Sequence, residues 1–442
     1  MRDIAILLIV TYGLIRTVRE PVIGILLWCW IGYMNPHRLS YGFAYSMPWA
    51  FMTAAVLIPS LLFSKEPKKL PGHWLVSVWL AFVVWMCITT VFAQDFSTSA
   101  EQLDKVLKIQ LVNAFMMMIM GTRERLNMLL WVIVISIGFF GLKGGIFTIL
   151  GGGGSKVWGP PGSFIADNNE IGLAMLTTMP LMYYLRQQTA SKWVRHALAL
   201  TMLMTAFAVI GTSSRGSMIA GLTAAAFLWL RSPHKIGLGL GLLVLLPVLY
   251  LFAPSSWHER MGTIETYDQD ASAMGRINAW GMAFRLASNR LTGGGFVPWT
   301  PENFAKYADV PSDVHAAHSI YFGVLGDHGW PGLILFVAIA VGSLVSVSRA
   351  LKICRAAPEL TWLSQMLAMV QVSLIVFLVG GSFYSLAYFD LYWNLVTIVM
   401  LGHVMARRYE AEHPELFVRK TLTGRPAPPA REERLARPGN PR

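Results

Sequence analysis

Thirteen apolar runs, most of them close to the length that crosses a bilayer, leave this chain few ways to fold. They lie near 3–18, 21–34, 49–63, 73–93, 105–120, 127–149, 170–185, 196–212, 217–230, 236–253, 319–348, 364–387 and 390–406. A spanning helix needs about 20 such residues, and in lipid every backbone polar group must find its partner within the protein. The composition agrees: 14% of the 442 residues are charged, where soluble chains carry about 25%. Mean hydropathy is +0.51. The expectation is an all-α, polytopic transmembrane helical bundle of 12–13 spans. The first two runs are short enough to be a hairpin that does not fully cross.

A net charge of +12 first suggests a nucleic-acid partner, but its distribution argues against one. The basic residues gather in short loops: Lys65/Lys68/Lys69, Arg123/Arg125, Arg186/Lys192/Arg195, Arg231/Lys235 and Arg349/Lys352/Arg355. That is the bias of cytosolic loops, and it sets topology. Counting back from a basic C-terminal tail places 64–72, 121–126, 186–195, 231–235 and 349–363 inside. It places 94–104, 150–169, 213–216, 254–318 and the N-terminus outside. The chain then divides into a membrane domain, 1–409, and a Pro/Arg-rich cytosolic tail, 410–442, whose polarity cannot support a packed core. The cysteines Cys29, Cys87 and Cys354 are scattered, with neither disulfide nor thiolate-metal spacing.

The one long polar insertion is the external loop 254–318. Within it Ser272 is positioned to cap an amphipathic helix whose apolar face is Ile277, Trp280, Phe284 and Ala287, lying on the membrane surface. Thr292-Gly-Gly-Gly295 ends that helix. The loop closes on His315-Ala-Ala-His318-Ser319, directly before the next apolar run.

Several residues stand out against this background. Arg215, between two runs in Ser213-Ser-Arg215-Gly216, faces away from the cytosol, where a cation needs a reason. An anionic ligand is one reason, and snorkelling from a tight turn is another. Lys143, flanked by glycines in Gly141-Leu-Lys143-Gly-Gly145, is a second phosphate candidate. Arg276 and Arg285 project from the loop helix. His318 and His315, with His258, are the histidines near the outer surface, able to take a proton from a hydroxyl at neutral pH. A helix-start histidine satisfied by backbone is the plain alternative for His318. Zinc lacks a third ligand at persuasive spacing. After the linker Gly151–Gly154, the polar segment Asp167-Asn168-Asn169-Glu170 is positioned to roof a site or to cap the next helix.

In order and spacing, these motifs resemble the O-antigen ligase/polymerase family of bacterial membrane proteins. The features shared are Ser213-Ser-Arg215-Gly216 between two spans, Gly275-Arg276 in a long external loop, His318-Ser319 opening a span, and Gly329-Trp-Pro-Gly332. Met34-Asn-Pro-His-Arg38, Val157-Trp-Gly-Pro-Pro-Gly-Ser-Phe-Ile165 and Ala317-His-Ser-Ile-Tyr-Phe322 are similar to runs in the O-glycosylation ligases associated with exosortase A systems. That subgroup carries glutamates where this chain has Gly323 and Asp327. The resemblance implies an inverting, metal-independent glycosyltransferase of the inner membrane with its site facing the periplasm and no cofactor. Its donor is a glycan on undecaprenyl diphosphate, and its acceptor a hydroxyl of a protein or lipid. His318 would be the base, with His315 in reserve. Arg215 and Arg276 would hold the diphosphate, and Lys143, Asn168 and Arg285 would contact substrate. A polysaccharide polymerase using the same donor is the nearest alternative. A secondary transporter is a more distant one, since the charges sit at the ends of the runs and no repeat is evident.

Overall fold

The computed structural model describes residues 1–417 apart from 153–155, 233, 254–256, 259–261 and 263–269. All the regular structure of the described residues is helical, and each apolar run falls on a helix. The first ten are α1 (Arg2–Arg19), α2 (Pro21–Met34), α3 (Trp49–Phe63), α4 (Trp74–Val91), α5 (Phe96–Ile119), α6 (Arg123–Leu150), α7 (Asn168–Gln188), α8 (Lys192–Gly211), α9 (Arg215–Arg231) and α10 (Lys235–Phe252). The long loop adds α11 (Ala271–Asn289) and α12 (Pro301–Tyr307). The chain then returns through α13 (Ile320–Cys354), α14 (Thr361–Gly380) and α15 (Asp390–Glu412). The protein is an all-α, polytopic membrane protein. Among the described residues six helices are long and apolar enough by themselves to cross a bilayer: α4, α6, α8, α10, α13 and the one built around α14. The rest are shorter or carry polar ends. Most of α7 and residues 390–403 of α15 are buried on every side, at the centre of the bundle. On α10, at the rim, only Leu249 is buried.

Contacts at the helix ends sort into two groups. At one end Arg125 pairs with Glu66 at 2.6 Å, and Gln188 bonds Gln365 at 2.5 Å, joining the segments around 66, 125, 188 and 365. At the other, Gln94 and Ser99 bond the backbone of the long loop at Gly294 and Phe296, 2.9 and 3.0 Å away. The first pair of helices runs between the two ends. Arg2 shares a cavity wall with Lys156, while Ser60 near the far end of α3 donates to the Thr17 carbonyl at 2.5 Å. The last helix continues to Glu412, with a short turn at Pro414–Leu416, and the remainder of the expected tail, 418–442, lies outside the described residues.

The two glycine motifs of the second half explain each other. Helix α13 is broken at Gly329, where φ is 65° and ψ −170°, followed by Pro331. A break leaves carbonyls of the preceding turn without their helical partners. Here Gly294 N–H donates to the Gly326 carbonyl at 2.9 Å, Gly295 N–H to Asp327 at 3.0 Å, and Trp85 Nε1 to His328 at 2.8 Å. The backbones touch, so a Cβ on Gly329 would run into the Leu291 carbonyl oxygen. The long loop is thereby fastened to the kinked span.

The loop helix departs from expectation at its cap and carries a second apolar stripe beside the expected one. Its cap is Asp270, whose carboxylate accepts from Ser272 N at 2.9 Å, so Ser272 lies inside the first turn. Its buried stripe is Ala279, Met282 and Leu286, which packs on Phe304 and Tyr307 of α12. Ile277 and Phe284 of the expected apolar face are 44% and 50% exposed. The helix carries two apolar stripes, and the one that meets α12 is buried within the loop.

Candidate active site

Four helices begin around one polar cavity of about 780 Å³. The starts of α7 (Asp167–Asn169), α9 (Ser214–Gly216) and α11 (Asp270–Ser272) line it, and His318 enters it two residues before α13. Helix N-termini carry partial positive charge and unpaired amides, so their convergence favours an anion. Asp167 and Asp270 already occupy two of these ends as caps, accepting from Asn169 N and Ser272 N at 2.9 Å each. The α9 end is different: its cap is the neutral Ser214, whose Oγ accepts from Ser217 N at 3.4 Å.

The turn before α9 is held from three sides. Ser213 adopts a left-handed conformation with φ 52°. Asn168 donates to the Thr212 carbonyl at 2.6 Å. The Tyr384 hydroxyl lies 2.7 Å from Ser214 Oγ and 3.1 Å from Ser217 Oγ. This fastening points Arg215 into the cavity, where it forms an ion pair with Asp270. Burial works to raise the Asp270 carboxyl, but the Arg215 guanidinium and the two α11 amides outweigh it and hold the group below the usual carboxylate value.

Arg276, one and a half turns into α11, is half-buried in the same wall, and burial opposes its charge. It has no ion pair with a described residue, and its Nε is buried without a hydrogen-bond partner. A guanidinium nitrogen buried in that condition is costly unless a ligand completes it.

His318 has φ 43°, a strained conformation for a non-glycine residue. Two contacts fix it there: Ser319 caps α13 through Phe322 N at 3.4 Å, and Trp280 Nε1 holds the Ala317 carbonyl at 2.7 Å. The Trp280 ring also stacks on Phe322, 4.9 Å between centroids. Burial and then the positive Arg276 lower the His318 pKa, while Asp167 raises it. The net effect is an imidazole kept neutral near pH 7, as a proton acceptor requires.

Arg215, Arg276, His318 and Asn168 therefore meet in one cavity, while three other candidates lie elsewhere. His315 turns back onto the loop: its Nε2 is 2.7 Å from Asp313, and its ring lies against Gly275. A Cβ at Gly275 would come within 2.6 Å of that ring, so the Gly-Arg pair permits a close approach of the histidine segment to α11. Arg285 pairs with Asp309 and donates to the Tyr307 carbonyl at 2.8 Å, on the α12 side of the helix. Lys143 lines a neighbouring cavity beyond the 156–158 strap. Lys156 and Trp158 of that strap line both cavities. Asp327, the first carboxylate after His318 in the chain, is buried in the bundle and accepts from Tyr388 at 2.8 Å. Sequence reasoning missed Asp270, Tyr384 and Lys156. An aspartate one residue before a helix was the available signal for the first, and none existed for the second.

Residues 200–337 match the model of the O-antigen ligase family. The match runs from α8 into α13 and contains Ser214, Arg215, Asp270, Arg276 and His318. Residues 1–190 match a second model, described as a family of unknown function (DUF5935). No curated protein matches the chain. The protein is thus a multi-pass membrane protein in which residues 200–337 are similar to the O-antigen ligase family, which supports a glycosyltransferase-like activity. The cavity is not built by the matched segment alone, since Asp167, Asn168 and the strap come from the preceding one.

Proposed function

We propose that the chain transfers a glycan from a polyprenyl diphosphate, such as undecaprenyl diphosphate, to an acceptor hydroxyl of a protein or lipid. The site would face the periplasm from the inner membrane, and the transfer would be inverting and metal-independent. The observation that carries this reading is the half-buried Arg276, which has no ion pair with a described residue, in a cavity where helix starts and Arg215 already favour an anion. A diphosphate suits both guanidiniums, which match phosphate oxygens in a bidentate way.

His318 takes the proton of the acceptor hydroxyl as its oxygen attacks the anomeric carbon. The bond from that carbon to the diphosphate oxygen breaks, and its electron pair leaves on the diphosphate. Arg215 and Arg276 stabilise the charge that develops there, by the logic of an oxyanion hole. Beneath the cavity, an apolar crevice of about 700 Å³ opens between α7, α8, α9 and α10. It begins at Ser217 and Met218, within a turn of Arg215, and suits an isoprenoid chain whose headgroup sits above.

The test uses the full chain in liposomes with a polyprenyl-diphosphate-linked oligosaccharide and a candidate acceptor. Transfer with release of polyprenyl diphosphate, lost in His318→Ala, supports the proposal. A ladder of longer lipid-linked products would instead assign a polymerase. Undiminished turnover in His318→Ala removes that residue as the base.

A further inference from the structure

A second cavity, of about 710 Å³, adjoins the first across the 156–158 strap. Its wall brings together Arg2 at the start of α1, Arg38 in the turn after α2, Lys143 on α6 and Lys156 on the strap. No aspartate or glutamate is among its lining residues, and none of the ion pairs among the described residues involves these four cations. Asp3 follows Arg2, but its Oδ1 accepts the Ala44 amide at 3.0 Å. Four like charges around one concave space repel one another, and low-dielectric walls focus their field into it. The bias of cytosolic loops does not account for them: they gather at the Arg215 end of the bundle, opposite the basic loops around Lys65, Arg125 and Arg186.

Aromatic rings hold this charge in place. The Arg2 guanidinium lies 5.9 Å from the Tyr41 ring centroid, and that of Arg38 lies 4.9 Å from Tyr45. Arg2 also donates to the Leu39 carbonyl at 2.9 Å. Arg38 rests on the segment after the strap, where a Cβ on Gly162 would be 3.5 Å from its guanidinium carbon. The guanidiniums are thus pre-positioned, and Trp158 offers a further exposed ring on the side shared with the first cavity.

We propose that this basin is a second anion site, which takes a phosphate ester carried on a sugar or on a lipid headgroup. All four cations belong to residues 1–190, so the inference gives that segment a ligand of its own. Its use to seat a phosphorylated acceptor beside the reacting centre rests on the transfer reading above; the binding itself does not.

The experiment takes the full chain in phosphatidylcholine nanodiscs and measures binding of glucose 6-phosphate, with glucose as control and farnesyl diphosphate as probe of the first cavity. A variant carrying Arg38→Ala and Lys143→Ala should weaken glucose 6-phosphate binding by at least about tenfold, as expected for two lost charge-assisted contacts. Its farnesyl diphosphate affinity should not change. Arg276→Ala should show the opposite pattern, and Lys143→Arg should retain the sugar phosphate, separating charge from packing. In a parallel arm, nanodiscs containing phosphatidylglycerol are read by native mass spectrometry. Retention of that lipid, lost in the double variant, supports the site and assigns the phosphate to a headgroup. Equal binding by wild type and double variant overturns the proposal, as does retention of neither ligand. Loss of glucose 6-phosphate through Arg276→Ala alone would also overturn it, by placing the ligand in the first cavity. Failure of glycosyl transfer with these binding patterns intact would count against the proposed function only.

Discussion

Arg215 is ion-paired with Asp270, while Arg276, on the helix that Asp270 caps, faces the same cavity with no acid partner among the described residues. The first pair is a competitor for any incoming anion. Asp270→Asn keeps a good cap and removes the charge, so diphosphate binding should tighten about fivefold, equivalent to roughly 1 kcal/mol. Asp270→Ala should give the same electrostatic gain but lose the cap, lowering thermal stability. Farnesyl diphosphate titration with a melting curve for each variant checks both. Weaker binding in Asp270→Asn would mean that the carboxylate serves to orient Arg215.

The pH dependence follows from His318. Its pKa lies below the ordinary 6.5, through burial first and the neighbouring Arg276 second. A base works when unprotonated, so kcat/KM should be flat near pH 7 and fall only on the acid side of that ordinary value. Replacing Arg276 with Gln removes a nearby positive charge, which makes protonation easier and moves the acid limb to higher pH. A limb that stays in place in Arg276→Gln would show that the two groups do not interact.

Tyr384 tests whether the turn before α9 matters for chemistry. Its hydroxyl joins Ser214 and Ser217, and burial keeps it protonated with a pKa pushed up to about 12. Tyr384→Phe removes two hydrogen bonds that hold the Arg215 end of the helix. Each is worth about 1 kcal/mol net. Turnover should fall about tenfold, with little change in expression or melting temperature. Unaltered turnover would reduce Tyr384 to a packing residue.

How much of this was legible in the sequence depends on how local the cause is. The helices were readable because a run of apolar residues is its own signal. The break after α11 was readable because Gly293–Gly295 has no other reading at that place. Arg215 and His318 stood out as polar groups at the edges of apolar runs and Arg276 as a cation on the loop helix, and the three do share a cavity. Lys143 stood out for the same reason and lies in a different one, because its neighbours Arg2 and Arg38 are set by how α1 and α2 dock on α6. On α11 the stripe with Ile277 and Phe284 was legible from helical spacing, whereas the second stripe, Ala279, Met282 and Leu286, acquires its role only from the position of α12. Asp270 and Tyr384 acquire meaning through partners at Arg215 and Ser214, which no local pattern announces.

Gly275 offers a test of how the histidine segment is placed. The His315 ring occupies the space where a side chain at 275 would point, 2.6 Å from an added Cβ, with Asp313 Oδ2 at 3.2 Å. The same segment is anchored by Asn278, which donates to the Val310 and Asp313 carbonyls at 2.8 and 3.1 Å. Gly275→Ala should therefore push His315 outward and carry His318 off its strained position. Because a misplacement of about 1 Å at a reacting group costs up to a hundredfold, turnover should drop by one to two orders of magnitude while farnesyl diphosphate still binds. His315→Ala alone should be mild, since that ring lies outside the cavity. Combined with Gly275→Ala it makes room for the methyl group and should restore most of the lost activity. A double variant as slow as Gly275→Ala alone would rule out the steric account, and a His315→Ala variant as dead as His318→Ala would transfer the role of base to His315.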